Sequence, residues 1–210
     1  MIIKPIQDKG LLARLLEKCI EILLKKECKK IGEVEIDFNA SSIEIIKGII
    51  REVNIIAEEI NYKDILFDKV ELEASDVKII FKINNKELSL KNNFIVKFKI
   101  SLSANSLKTI LLSKTWNWIG DMIIKELLDQ DKLEDIKIEN DQISIKASKD
   151  YKTVKEGKKI NLKTKNGKLY LENKAHNKSI KIPIEDKVCI SNVNIKDNLI
   201  NISAHSSVSF

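Results

Sequence analysis

The residues that could carry metal or nucleophilic chemistry in this chain are few and far apart. There are two histidines, His176 and His205, and three cysteines, Cys19, Cys28 and Cys189. An odd number of cysteines without a C-x-x-C spacing fits no zinc template. We therefore expect free, buried thiols, no metal site and no cofactor.

Two residue pairs match the spacing of known catalytic motifs. Tyr151 and Lys155 have the Tyr-x-x-x-Lys spacing of short-chain dehydrogenases, but the dinucleotide-binding Gly-x-Gly-x-x-Gly is absent. Ser75 and Lys78 match Ser-x-x-Lys without its partner motifs. Aspartate and glutamate are plentiful, and the sequence singles out no pair of them for acid–base work. We expect a protein that is not an enzyme.

The positive charge has an unusual composition. Lysine and arginine number 37 against 31 acidic residues, a net charge of +6, yet Arg14 and Arg51 are the only arginines. Specific recognition of phosphates and bases favours the bidentate arginine fork. The first interpretation is a set of solvated lysine faces, the second a surface suited to an anionic membrane. We expect no nucleic acid partner.

The first element is an amphipathic helix. Apolar residues recur at helical spacing from Leu12 to Leu24, with charged residues on the opposite stripe, over about 18 residues. Such a helix packs on a sheet or lies on a membrane, and packing is the stronger expectation. Further on, Asn39 or Ser41 can cap a short helix that Gly48 ends.

Most of the remaining sequence alternates with the period of a strand. The segments predicted as strands are 34–38, 53–57, 66–74, 77–83, 94–102, 136–138, 143–147, 160–162, 169–171, 180–182, 188–190, 193–195 and 200–204. Asn84–Asn85, Asn140–Asp141 and Asn166–Gly167 are predicted turns, and Pro183 limits its strand to a sheet edge. One apolar and one polar face per strand is typical of an antiparallel sheet packed on one side. Lys97 and Lys99 fall on the polar face.

A helical block interrupts the strands at 104–129. Ser103 or Asn105 can cap its first helix and Thr115 its second, after a break near Ser113. Trp116 and Trp118, two residues apart, diverge on a helix. Trp116 is expected in the core and Trp118 outside it; the alternative is an interfacial tryptophan at a cavity mouth or membrane surface.

These elements predict an α+β fold in one domain, 1–210, with an N-terminal amphipathic helix within 1–30 and central helices in 104–129. Residues 1–10 have no apolar h-region, so we expect no signal peptide and a cytoplasmic or peripheral membrane location. No stretch approaches 18 consecutive apolar residues.

Three segments resemble the LmeA-like phospholipid-binding family. They are Ile43–Val53, where Lys47-Gly48 leads into a strand, Asn61–Val70, and Phe94–Leu112, where a strand ends in the helix at Ala104-Asn105-Ser106-Leu107. The resemblance extends from about residue 8 to the C-terminus and lies in the hydrophobic pattern and the order of the elements. The composition of the chain, rich in lysine and isoleucine, is similar to that of the cyanobacterial branch of the family. The resemblance implies a TULIP-like architecture, a long, curved antiparallel sheet wrapped around helices. Exported actinobacterial relatives differ in carrying a signal peptide.

The resemblance implies a non-enzymatic protein that holds a phospholipid or another acyl-chain ligand in an apolar groove. The groove-lining residues would come from one strand and the central helices: Phe94, Val96, Phe98, Ile100, Leu107, Ile110, Leu111, Trp116, Ile119 and Ile123. Lipid transfer or attachment to an anionic membrane would follow. The alternative is a packed structural or adaptor domain that binds a protein partner through its N-terminal helix.

Overall fold

The chain forms four helices and two antiparallel sheets within the residues that the structure, a computed structural model, describes: 10–82, 87–149, 152–153 and 157–209. The helices are α1 (Leu11–Glu27), α2 (Ser42–Ile46), α3 (Ala104–Leu112) and α4 (Asn117–Leu128). The α+β class predicted from the sequence is therefore confirmed.

The larger sheet, called the long sheet, contains the longest strands. Its spatial order is β1 (Val34–Asn39), β2 (Ile49–Tyr62), β3 (Ile65–Lys82), β5 (Phe94–Ser103), β13 (Leu199–Val208) and β12 (Val188–Lys196), while β4 (Glu87–Leu90) pairs with the end of β3. All of these pairs are antiparallel. Neighbouring side chains therefore form continuous rows across the sheet.

The second sheet, called the short sheet, is built from the six strands between α4 and β12. Its order is β11 (Lys178–Lys181), β10 (Lys168–Asn173), β9 (Lys158–Lys165), β7 (Gln142–Lys149) and β6 (Lys132–Glu139), with β8 (Lys152–Thr153) beside β7. The predicted Asn166–Gly167 turn joins β9 and β10 with positive φ at both residues, 50° and 71°. Such angles are those of the two-residue hairpin turn.

Three apolar clusters hold these layers together. The helix core places α3 and α4 between the two sheets, with Ile124 and Leu127 fully buried. The α1 core packs α1 and α2 on the opposite end of the long sheet around Leu16, Ile45 and Ile50. A smaller edge core joins the short sheet to β12 and β13.

Two of the predicted boundaries are wrong. The segment 66–74 and the described part of 77–83, which ends at residue 82, belong to one strand, β3, because the pairing with β2 keeps one register on both sides of Asp76, whose φ is positive at 54°. Thr115 does not cap α4: the N-cap is Trp116, without a side-chain cap, and the Thr115 hydroxyl instead donates to Asp64. Asn84–Asn85 and the Tyr151/Lys155 pair lie outside the described residues.

Other local predictions are confirmed. Ser41 caps α2 and Ser103 caps α3, each accepting a hydrogen bond from the backbone N–H three residues on. Gly48 ends the short helix with φ +72°. β11 is an edge strand that ends before Pro183.

Candidate functional site

The inner face of the long sheet, the face that carries the helices, is apolar from strand to strand. Register places Ile36, Ile55, Leu72 and Phe98 side by side on β1, β2, β3 and β5. No charged side chain interrupts this row, because residues of alternate parity point to the other face.

The adjacent row has the same character. Val34, Ala57, Val70 and Ile100 pair across the same four strands. Apart from buried Ala57, these side chains are half-buried. Two neighbouring rows of aliphatic side chains thus run across the middle of the sheet.

The helices cover the two ends of this face better than its middle. We call the middle the central strip, which consists of Val34, Ile36, Ile55, Ala57, Val70 and Leu72. Among the described residues, the α1, helix and edge cores do not include these six side chains. The strip is therefore apolar surface outside the packed clusters of the fold.

Helix α1 passes over this strip without closing on it. Its start lies beside α2, where Gly10 approaches Ser42, and its end is tied to β2 by the Lys29 N–H, which donates to the Asn61 carbonyl at 2.8 Å. The helix consequently runs antiparallel to β1. Ile20 packs in the α1 core with Phe38, so the next turn of α1 lies toward the central strip.

The exposure of that turn indicates an opening. Leu16 and Leu23, seven residues apart, lie on one stripe of α1, which faces the sheet. Leu16 is completely buried, whereas Leu23 is 42% exposed. The sheet-facing stripe of α1 is thus packed at Leu16 and leaves apolar surface accessible at Leu23, while the side chains of the strip are half-buried apart from buried Ala57.

Charged groups gather at the end of the strip where β2 turns into β3. Lys63 has its ammonium 5.0 Å from the centre of the Tyr62 ring. Its interaction with the Tyr62 side chain, followed by smaller effects of the Glu27 and Glu185 charges, raises the pKa of Lys63. Glu27 is the last residue of α1, and Glu185 lies in the segment after β11.

Hydrogen bonds tie this end to the turn between α3 and α4. The Trp116 indole N–H donates to the Lys63 carbonyl at 3.1 Å, and the Thr115 hydroxyl donates to Asp64 at 3.2 Å. Asp64 also pairs with Lys29 at 2.7 Å, which lowers its pKa. The end of α1, the β2–β3 turn and the α3–α4 turn are therefore one connected structure.

The outer face of the long sheet is polar, as its alternation predicts. Lys97 pairs with Glu73 at 2.9 Å, and Lys99 with Glu71 at 3.6 Å; Glu71 also holds Lys69 at 3.0 Å. These lysines face away from the central strip. They are therefore not available to a ligand bound on the inner face.

The residues predicted to line a groove are divided among the three clusters. Phe94 and Val96 pack in the α1 core and Phe98 in the edge core. The other seven all belong to, or pack against, the helix core: Ile100, Leu107, Ile110, Leu111, Trp116, Ile119 and Ile123. Trp116 is half-buried there, and Trp118 is exposed. The structure thus brings Phe98 and Ile100 to the border of the central strip and distributes the rest elsewhere.

Ile55, Val70 and Leu72 were not among the predicted groove residues. Their alternation is identical to that of β5, so the strand pattern alone does not separate them. What separates them is the position of α1, which depends on long-range pairing through Asn61.

Other site types find no support in the described residues. They contain no group of three or more His, Cys, Asp and Glu side chains placed to hold a metal ion. All three cysteines are free, and burial is the main factor that raises the pKa of Cys28. No helix in these parts of the chain combines the length and the apolar character needed to cross a bilayer.

Comparison with protein-family models, with curated proteins and with solved structures gave no match. The resemblance to the LmeA-like family stays a prediction from the sequence.

Proposed function

We propose that this protein is a non-enzymatic lipid-binding protein that holds an acyl chain against the central strip, beneath the second half of α1. The arrangement would be TULIP-like in that a long antiparallel sheet and a helix enclose the ligand. The observation that carries the proposal is apolar surface outside the packed cores: Leu23 on the sheet-facing stripe of α1 is 42% exposed, and the half-buried Ile55 and Leu72 belong to none of the three clusters.

Burial of the acyl chain would supply most of the affinity. Each buried methylene contributes about 0.8 kcal/mol, so ten methylenes contribute roughly 8 kcal/mol before the costs of ordering. Aliphatic walls without hydrogen-bonding groups favour such a chain without dictating its length. We therefore expect a range of phospholipids or fatty acids to be accommodated.

Lys63 is the cation best placed to orient a headgroup. It lies at the end of the strip and is cationic at neutral pH, as lysines ordinarily are. Its interaction with Tyr62 raises its pKa further. A lysine near an anionic group adds about 1 kcal/mol. The headgroup thus contributes much less free energy of binding than burial of the acyl chain. Its role is to orient the lipid, with the headgroup toward the β2–β3 turn.

The experiment compares two isoleucine substitutions in one strand. Ile55→Gln introduces an amide into the strip, whereas Ile49→Gln changes an exposed isoleucine at the start of β2. Native mass spectrometry of the purified proteins, followed by titration with a fluorescent fatty acid, measures occupancy and affinity. We expect Ile55→Gln to weaken binding by about tenfold, corresponding to about 1.4 kcal/mol, and Ile49→Gln to leave it unchanged.

Two results would contradict the proposal. One is wild-type protein that neither carries nor takes up an acyl-chain ligand. The other is equal affinity of both variants and the wild type, which would place the ligand away from the strip.

A second candidate function, a protein adaptor, is favoured by one feature of α1. Leu11 and Ile22, eleven residues apart and so on nearly the same side of the helix, are both exposed. A protein partner could dock on that side. Capture of a defined partner that Leu11→Glu/Ile22→Glu abolishes, in protein free of lipid, would favour this function over lipid binding.

A further inference from the structure

The most exposed aliphatic side chains of the described residues gather at one end of the long sheet. Ile43 and Ile46, one turn apart on α2, are 65% and 71% exposed. Ile49 begins β2 directly after them, and Leu11 at the start of α1 is exposed next to Ser42. We call Leu11, Ile43, Ile46 and Ile49 the α2 patch.

Local structure fixes these side chains outward. Ser41 and Glu44 form a reciprocal capping box that sets the start of α2. Ile45, which lies between Ile43 and Ile46 in the helix, is buried in the α1 core. With Ile45 directed inward, residues 43 and 46 cannot also reach the core. The exposure therefore follows from the fold and not from a loose segment.

Two exposed lysines border the patch. Lys47 follows α2, and Lys78 lies opposite Ile49 in the pairing of β2 with β3. Arg51 pairs with Glu44 at 2.6 Å. Carboxylates also lie at this end of the sheet: Glu44, which Arg51 engages, Glu52 and Asp76.

We infer that the α2 patch docks the protein on the surface of an anionic phospholipid bilayer. Exposed aliphatic side chains enter the boundary between headgroups and acyl chains, and neighbouring lysines are attracted to anionic lipids. Four side chains at the end of a sheet are few for a stable protein interface, which takes about 20–30 residues a side. A bilayer needs only shallow insertion, so the observations favour it as the occupant.

This docking goes beyond the proposed acyl-chain site and does not depend on it. The α2 patch lies at the start of β2, and the Lys63 end of the central strip lies beyond the last residue of the same strand. The 14 residues of β2 span about 45 Å along the strand. Vesicle binding and ligand occupancy are therefore measured independently.

The first experiment is co-sedimentation with vesicles of phosphatidylcholine, with and without 30% phosphatidylserine. The variant Ile43→Ser/Ile46→Ser removes apolar area from exposed positions and should remain folded by circular dichroism. We expect roughly tenfold weaker partitioning onto the anionic vesicles, since losing two aliphatic side chains removes more than 1.4 kcal/mol of burial. Added salt should weaken wild-type binding by screening the lysines.

The matched control is Leu112→Ser. Leu112 is 41% exposed at the end of α3, before the α3–α4 turn that Trp116 ties to Lys63 and far from the patch, so it tests the loss of an exposed aliphatic side chain as such. Its partitioning should equal that of the wild type. An equal loss in both variants would overturn the proposed location.

The second experiment determines orientation with brominated lipids, which quench tryptophan at the bilayer boundary. Trp116 and Trp118 lie at the opposite end of β2, because Trp116 bonds to Lys63. The readout is the extra quenching in Ile46→Trp over that of the native pair, since a lipid held near Lys63 would quench Trp116 in both proteins, and we expect this extra quenching to be strong. No extra quenching in Ile46→Trp, absence of vesicle binding by the wild type, or a lipid-free dimer that Ile43→Ser/Ile46→Ser dissociates would overturn the inference.

Discussion

Replacing Gly48 by alanine should unfold or strongly destabilise the end of the molecule that presents α2. Gly48 has φ +72°, and a Cβ atom on it would overlap the carbonyl oxygen of Ile79. Its own carbonyl accepts a hydrogen bond from the Ile79 N–H at 2.8 Å. The position therefore requires both left-handed backbone and a hydrogen there in place of a side chain.

The magnitude follows from three contributions. A left-handed conformation costs a non-glycine residue roughly 1–2 kcal/mol. If the two strands separate to relieve the overlap, the hydrogen bond to Ile79 is lost, at about 1 kcal/mol. Displacement of Ile50 and Ile79, both buried in the α1 core, adds to this, so we expect a loss of about 3 kcal/mol or more.

Urea denaturation followed by circular dichroism measures this loss. The matched control is Gly10→Ala, since Gly10 caps α1 with φ −56° and its Cβ would meet only the Ser42 hydroxyl, at 3.0 Å, on a side chain that can rotate. The control should change the free energy of unfolding by less than about 1 kcal/mol. A Gly48→Ala protein as stable as the control would refute the backbone argument.

Two other expectations concern the helix core and the α2 cap. Leu127→Ala, at a fully buried position of α4, should cost about 2–5 kcal/mol in urea denaturation, while Leu112→Ala, at an exposed position of α3, should cost much less; equal costs would contradict the assigned core. Hydrogen bonds from the Ser41 backbone and hydroxyl, and then from Arg51, lower the pKa of Glu44 from 4.5 to about 2. Because the folded pKa is the lower one, the cap stabilises α2 fully above pH 4.5 and loses this contribution as the pH falls toward 2; a carboxyl NMR titration with a midpoint above 4 would contradict it.

The sequence predicts well the features that neighbouring residues decide. Ser41 and Ser103 identify helix starts because a side-chain oxygen and a nearby N–H are all that a cap requires. Asn166–Gly167 identifies a hairpin for a similar reason, since few residues adopt positive φ twice in succession. Thr115 fails as a cap because α4 begins one residue later than the sequence suggests, with Trp116 at the N-cap position.

The candidate site is harder to predict because long-range contacts define it. Phe98 and Leu72 have the same alternating pattern, but the edge core packs against Phe98, whereas Leu72 stays outside the three clusters. Leu16 and Leu23 share one helical stripe and differ only in what lies beneath them. A one-dimensional pattern records which face a residue occupies, and the path of α1 over the sheet decides whether that face is covered.

The α1 core also separates the two proposed lipid-binding surfaces, the α2 patch and the central strip. Leu16, Ile45, Ile50 and Val77 are buried between the α2 patch and the central strip, so a lipid cannot pass from one to the other through this end of the fold. The open side of the strip lies instead near Leu23, at the second half of α1. Docking through α2 therefore changes how often the protein meets a bilayer, while the strip determines how tightly an acyl chain is held. Ile43→Ser/Ile46→Ser should consequently slow the transfer of lipid from vesicles yet leave the equilibrium affinity for a soluble fatty acid unchanged, and a change in that affinity would contradict the separation.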